Sequence, residues 1–251
     1  MTTTSTLPVA HSLTGEWRRF AHFLRRPELP PAAAGPSKRT LTATGRLLLL
    51  DYLVMALLLT IGGLAVWGGL EMPESQLERI EWNAGWIVMV VLAAPIYEEF
   101  GFRSWLSGRI GHFGFIAGAL PTYFLAMHLN IGNPDPALKQ SFAIFYAILI
   151  GSITGLIGLF VAPKSRPLPF FVTWFFVFFW FSAVLFASIH VSNFIGEFSP
   201  LLLLLVVPQF SAGTIFGYAR VQYGLWSAVL LHVLHNGTAL GLALLAAEVV
   251  G

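Results

Sequence analysis

Two adjacent glutamates, Glu98 and Glu99, lie inside an apolar segment and are followed four residues later by Arg103. The segment, WNAGWIVMVVLAAPIYEEFGFRSWL, is long enough to cross a bilayer. Ionised carboxylates are costly in hydrocarbon, so they usually form ion pairs, face a polar cavity or take part in chemistry. On a helix Glu99 and Arg103 share a side, with the acid in the favoured N-terminal position. We therefore predict that Arg103 neutralises Glu99 and leaves Glu98 available for chemistry.

Four histidines also lie in apolar segments, namely His128, His190, His232 and His235. A single membrane histidine is most often a hydrogen-bonded packing residue, but four of them beside two acids indicate a site. His232 and Asn236 are four residues apart and project from the same side of a helix. His235 projects elsewhere, and we expect it to hold helices together.

The composition is that of a membrane protein. The chain has 251 residues, of which 56% are hydrophobic and 10% charged, and its mean hydropathy is +0.75. A soluble domain carries about 25% charged residues, so we predict an all-α, polytopic helical membrane protein. The arginines are not gathered in a soluble domain, which argues against nucleic-acid binding. The absence of cysteine excludes disulfides, thiolate metal sites and a cysteine nucleophile.

Seven apolar stretches approach the roughly 20 residues that span a bilayer. They are Leu47–Leu70, Trp82–Leu106, Phe113–Leu129, Phe142–Ala162, Leu168–Ile195, Leu201–Tyr218 and Gly224–Ala247. We therefore expect about seven transmembrane helices. Residues 1–46 would form a basic cytoplasmic tail, with an amphipathic piece around residues 16–24 that lies on the membrane. Residues 47–251 would form the transmembrane domain.

The loop charges predict the orientation. If the N-terminus is inside, 12 of the 14 Lys and Arg residues fall on the inner side, and only Arg79 and Lys139 fall outside. The inner side then includes Lys164, and the outer side includes the acids Asp135 and Glu197. This positive-inside pattern predicts a multi-pass protein of the plasma membrane with a cytoplasmic N-terminus. Asp51, at the inner start of the first stretch, would be an interfacial anchor.

Three motifs occur in order on separate apolar stretches. Glu98 to Arg103 reads EExxxR, Phe186 to His190 reads FxxxH, and His232 to Asn236 reads HxxxN. Together they resemble the CPBP family, which comprises type II CAAX prenyl proteases and bacteriocin-processing enzymes. The resemblance covers about residues 82–240 and includes the stretch PQFSAGTIFGYARVQYGLWSAVLLHVLHN, which leads into the third motif.

A second FxxxH, ending at His128, lies between the first motif and His190. His128 follows Glu98 by 30 residues, which suits the family spacing, whereas His190 follows it by 92. The sequence around His190, SAVLFASIHVSNF, is closer to the family's second motif, so we favour His190. On this interpretation the core carries an insertion of about two membrane segments, at residues 113–165.

The resemblance implies a glutamic endopeptidase with no covalent intermediate, no metal and no cofactor. Its site residues would be Glu98, Glu99, Arg103, His190, His232 and Asn236. Glu98 would be the general base for water, and His190 would help to hold that water. His232 and Asn236 would donate hydrogen bonds to the oxyanion, while Glu99 and Arg103 would fix the helix. The substrate would be a membrane-embedded or lipid-anchored peptide or protein in the bilayer.

Three other functions remain open on the sequence alone. Glu98, His190 and His232 form a two-histidine, one-carboxylate set that suits a zinc protease, although HExxH is absent. A non-catalytic module, such as a bacteriocin-immunity or scaffold protein, would have little need of buried ionisable residues. A proton-coupled transporter would more often show repeats and broken helices in both halves.

Overall fold

The computed structural model describes residues 9–129, 136–162, 166–195 and 199–250. In these ranges the chain is helical and contains no β-strand, which confirms the predicted all-α class. Seven helical segments within them are long and apolar enough to cross a membrane, as predicted. The chain is therefore an integral, multi-pass membrane protein. Asp135, Lys164 and Glu197, which entered the orientation argument, lie outside the described residues.

The α-helices of the described ranges are numbered here in chain order. They are α1 (Leu13–Arg25), α2 (Lys38–Trp67), α3 (Ala84–Val88), α4 (Ala94–Arg103), α5 (Gly114–Leu129), α6 (Pro136–Val161), α7 (Pro169–Thr173), α8 (Phe175–Ile189), α9 (Pro200–Leu205), α10 (Val207–Tyr223) and α11 (Leu225–Val250). A π-helical turn, Met89–Ala93, separates α3 from α4. A 3₁₀ turn, His190–Asn193, follows α8.

The first membrane helix begins earlier than the apolar stretch that predicts it. Helix α2 starts at Lys38, inside the predicted tail, because Ser37 and Thr40 form a capping box. The Thr40 amide donates to Ser37 Oγ at 3.2 Å, and the Ser37 amide donates to Thr40 Oγ1 at 2.9 Å. Such caps satisfy backbone groups that a helix terminus leaves without partners, so the helix can extend through polar sequence.

The amphipathic N-terminal piece forms helix α1, and one apolar side of this helix packs against protein. Phe23 packs edge-on against Phe179 and Tyr218, and Phe20 packs edge-on against Tyr218. Periodicity marks the apolar side of a helix, but it does not reveal whether lipid or protein covers that side.

The chain divides into two compact units, Met1–Ile96 with Phe175–Gly251, and Tyr97–Trp174. The core of the first unit is α10, which packs against α2, α8 and α11. Every residue from Ala212 to Tyr223 is buried. At Gly217 a Cβ atom would lie 2.9 Å from Phe179 Cε2, so this glycine allows α8 to approach closely.

Polar side chains connect α2 to α11 in the first unit. Thr44 Oγ1 lies 2.7 Å from Ser227 Oγ, and the Tyr52 hydroxyl lies 2.7 Å from Thr238 Oγ1. Hydrogen bonds of this kind contribute to helix association in membranes, because exchanging lipid contact for protein contact provides no hydrophobic driving force there. They fix which side of α11 faces α2.

The loop between α2 and α3 holds the end of α8. The Ile195 amide donates to Glu74 O at 2.8 Å, and Gln76 Nε2 donates to Ser192 O at 2.7 Å. Within the loop Arg79 donates two 2.8 Å hydrogen bonds to the Glu74 carboxylate, and these lower the pKa of Glu74. The loop therefore restrains the short turn that begins with His190.

The second unit contains a close antiparallel pair, α5 and α6, at the position of the predicted insertion. The close approach uses glycines from both segments, at residues 111, 114, 118, 151, 155 and 158. A Cβ atom at Gly111 would lie 2.6 Å from Gly158 O, and Thr154 Oγ1 donates to Gly114 O at 2.8 Å. Small residues allow backbones to approach in this way in membranes. That the pair is an insertion stays a prediction.

We expect Gly114→Ala to lower the thermal unfolding midpoint of the full chain in detergent, because its methyl group would overlap Thr154 O. Overpacking costs roughly 1–3 kcal/mol, which outweighs the roughly 1 kcal/mol that alanine gains over glycine in a helix. Gly155→Ala is the matched control, since a Cβ atom there lies 3.4 Å from Phe115 Cβ, an ordinary contact. Equal midpoints for the two variants would contradict the role given to Gly114.

Candidate active site

Glu99 and Arg103 form a buried ion pair within α4. Arg103 Nη1 lies 2.8 Å from Glu99 Oε1, and both side chains are 0% exposed. The predicted pair is thereby confirmed. Each charge alone would be costly in an apolar surrounding, and pairing offsets much of that cost. Glu98 is only half-buried, so the two neighbouring carboxylates have different environments.

The π-helical turn before α4 has a local cause in the sequence. In this turn the Ala94 amide donates to Met89 O, five residues back. By the same spacing Val90 O would pair with residue 95, but Pro95 has no N–H to donate. We did not predict this irregularity from the sequence, although a proline within a membrane helix is a readable signal of one. Such π-turns often occur at functional sites.

Asn236 supplies a hydrogen bond to the π-turn. Its Nδ2 atom donates to Val90 O at 2.9 Å. The next residue of α11 is Gly237, where a Cβ atom would lie 3.3 Å from Val91 Cγ1. The amide of Asn236 therefore satisfies a carbonyl that proline cannot, and the glycine beside it lets α11 come close. One of the two Nδ2 hydrogens is used in this contact.

His190 and His232 meet the same phenylalanine in the first unit. The Phe186 ring centroid lies 4.7 Å from that of His190 and 5.7 Å from that of His232. His232 is also stacked on Phe216 at 5.0 Å and is only 3% exposed. Helix α8 ends at Ile189, and His190 begins the 3₁₀ turn that continues directly from it.

The hydrogen bond of His190 identifies its tautomer. His190 Nδ1 lies 2.7 Å from Phe186 O, and a carbonyl oxygen can only accept. Nδ1 is therefore the protonated nitrogen, and in the neutral ring the lone pair is on Nε2. An imidazole held in this way can accept a hydrogen bond from water.

Asp51 has a partner that the sequence did not reveal. Its Oδ2 atom lies 2.7 Å from His235 Nδ1, and the aspartate side chain is fully buried. The prediction of an interfacial anchor for Asp51 was therefore wrong, because a residue 184 positions away covers it. His235 joins α2 to α11, as expected for a packing residue. Phe216 touches His235 edge-on at 5.7 Å while stacking on His232.

The six predicted site residues fall into two groups, one in each unit. The first unit holds His190, His232 and Asn236, and the second holds Glu98 with the Glu99–Arg103 pair. His128 lies in the second unit, where it is an exposed residue of α5. Within the described part of either unit, no cluster of three or more His, Asp or Glu side chains is arranged to hold a metal.

We expect Glu99→Gln to reduce the yield and the unfolding midpoint of the protein, because Arg103 then loses the buried carboxylate that lies 2.8 Å from it. Breaking a buried pair from one side typically costs about 3–5 kcal/mol. The double variant Glu99→Leu with Arg103→Met removes both charges and should recover most of the loss, as measured by thermal unfolding in detergent. A double variant as unstable as the single one would show that the ion pair is not what α4 requires.

Comparison with known proteins agrees with the family resemblance of the motifs. The family described as type II CAAX prenyl endopeptidase Rce1-like matches residues 80–162 and 158–238. No curated protein and no solved structure matches the chain. The two family matches run from residue 80 to residue 238 and so cover more than half of the 251 residues. The chain belongs to the Rce1-like family of type II CAAX prenyl endopeptidases.

Proposed function

We propose that this protein is an intramembrane endopeptidase in which Glu98 activates water. Family membership makes it a protease of the CAAX type, and its seven apolar helices embed it in a bilayer. The choice of Glu98 rests on the difference in burial between Glu98 and its neighbour Glu99. Glu99 is fully buried and neutralised by Arg103, whereas Glu98 is half-buried. A general base must reach water, and of the two acids only Glu98 has an exposed part, although its Oε2 atom is buried.

The proposed reaction is direct hydrolysis of a peptide bond. The Glu98 carboxylate takes a proton from water as the water oxygen attacks the carbonyl carbon. The negative charge that develops on the carbonyl oxygen is stabilised by hydrogen bonds from His232 and Asn236. The carbon–nitrogen bond then breaks as the proton held by Glu98 passes to the amine nitrogen. This sequence needs no covalent enzyme intermediate.

The contacts of the other motif residues support these roles. The Nε2 lone pair of His190 can accept the second hydrogen of the attacking water, because Nδ1 is committed to Phe186 O. Asn236 uses one amide hydrogen on Val90 O and has a second for the oxyanion. His232 is held by two aromatic rings, which restricts its rotation and so prepares it for hydrogen bonding.

The proposed substrate is a membrane-embedded or lipid-anchored peptide that enters from the bilayer or from the cytoplasmic side. We place the protein in the plasma membrane with its N-terminus in the cytoplasm, on the charge pattern of the loops. The proposed protease core is residues 82–240.

We expect Glu98→Gln to abolish cleavage while leaving the fold intact. Glutamine keeps the size of the side chain but cannot accept a proton from water. The measurement compares the termini of membrane peptides in cells that carry the wild-type protein or the variant at matched abundance. Tyr97→Phe is the control, since Tyr97 is an exposed neighbour without a proposed role, and it should cleave normally.

New termini that persist with Glu98→Gln would refute the role of Glu98, and no wild-type-dependent termini would favour a non-catalytic module. An added chelator addresses the zinc alternative in the same assay. We expect the chelator to leave cleavage unchanged, because the proposed reaction uses only side chains and water. Loss of cleavage that returns with zinc would overturn this expectation.

We expect His190→Ala to reduce the cleavage rate about 100-fold or more, and His128→Ala to leave it within a few-fold of wild type. His190 shares Phe186 with His232, whereas His128 is exposed on α5. Both variants are measured on the substrate found above, with thermal unfolding as the check on folding. The reverse order of effects would assign the second motif to His128.

A further inference from the structure

Helix α1 has a side that is fixed to the first unit. Glu16, Phe20 and Phe23 follow the i, i+4, i+7 spacing of one helix side, and all three are buried. The Glu16 carboxylate accepts hydrogen bonds from the hydroxyls of Tyr218 and Tyr223 on α10. A carboxyl group that is 0% exposed and bonded in this way holds α1 in one place and one rotation.

Hydrogen bonds also connect helix α1 to the start of the apolar part of α2. Trp17 Nε1 donates to Arg46 O at 2.9 Å, and Arg46 is the residue before the apolar run that begins at Leu47. The Arg46 guanidinium in turn donates to Ala10 O at 2.7 Å and to His11 O at 3.0 Å. Trp17 is therefore level with the start of the apolar run of α2.

A second side of α1 is apolar and only partly covered by protein. Leu13, Trp17 and Leu24 share this side, since they follow one another at intervals of four and seven residues, and all are half-buried. Tryptophan is enriched at the level of lipid headgroups. This side of the helix suits contact with the interfacial region of the membrane.

The remaining side of α1 carries positive charge. Arg18 and Arg25 are seven residues apart, point away from the buried side and are exposed. Three further exposed cations lie nearby in sequence, namely Arg26 at the end of α1 and Lys38 and Arg39 in the first turn of α2. Among residues 11–46 the one exposed acid is Glu28, which pairs with Arg26 at 3.0 Å.

We propose that α1 and the first turn of α2 form a docking surface for anionic phospholipid headgroups of the membrane that the protein spans. Guanidinium groups donate paired hydrogen bonds to phosphate oxygens, and each Lys or Arg near an anionic leaflet increases binding. The surface is formed before lipid binds. The buried side of α1, which includes Glu16, fixes the helix and directs its exposed arginines away from the protein. The inference is independent of the proposed protease reaction.

The test reconstitutes the full-length protein in phosphatidylcholine vesicles that contain spin-labelled phosphatidylglycerol or spin-labelled phosphatidylcholine. Electron spin resonance reports the fraction of each label held at the protein surface, and hence the preference for the anionic lipid. We expect wild type to prefer phosphatidylglycerol. In the Arg18→Gln, Arg25→Gln double variant this preference should be several-fold smaller, because each arginine contributes up to about fivefold. Rising salt should reduce the wild-type preference in the same direction.

Two matched variants make the result specific. Arg79→Gln with Lys139→Gln removes two cations that we place on the opposite side of the membrane and should keep the preference. Arg18→Lys with Arg25→Lys keeps the charge and should keep most of the preference. Equal preference in wild type and in the Arg18→Gln, Arg25→Gln variant would overturn the proposal, and so would an equal loss in the Arg79 and Lys139 control.

A folding defect can be distinguished from a loss of lipid contact. If the double glutamine variant fails to fold, the single variants Arg18→Gln and Arg25→Gln are measured instead, and each should lose part of the preference. If neither single variant changes the preference, the proposal is wrong. The experiment does not measure peptide cleavage. A negative result would therefore refute the proposed lipid surface without bearing on the proposed protease function.

Discussion

The ion pair between Glu99 and Arg103 is the interaction on which the motif helix depends. It lets two adjacent acids occur in an apolar segment, because one of them is neutralised within the same helix at 2.8 Å. The pair is internal to α4, because both residues lie on that helix. The neighbouring Glu98 is half-buried. The two adjacent acids therefore have different environments, and we propose Glu98 as the reactive one.

The first unit is built around α10, and polar contacts set the rotation of the helices around it. Thr44 with Ser227, Asp51 with His235 and Tyr52 with Thr238 connect α2 to α11. These contacts lie on the same helix that carries two residues of the third motif. Phe216 touches both His232 and His235, so the packing residue and the proposed oxyanion donor share one aromatic neighbour.

The sequence predicted those features that depend on composition and on spacing within one helix. The seven crossings follow from apolar length, and the pairing of Glu99 with Arg103 follows from their four-residue separation. The partner of Asp51 lies 184 residues away, and no local pattern encodes such a distance. The side of α1 that binds protein likewise depends on tyrosines of α10. What the sequence missed is therefore mostly contact between distant segments.

The π-turn at Met89–Ala93 has a consequence for how the chain tolerates changes in length. One residue of an α-helix corresponds to a rotation of about 100°, so a one-residue insertion would normally turn every later side chain to a different direction. A π-turn absorbs one extra residue and lets the helix continue in its former register. Helix α4 begins directly after this turn. Removal of one residue from this turn would therefore leave a regular α-helix in which the glutamates keep their direction.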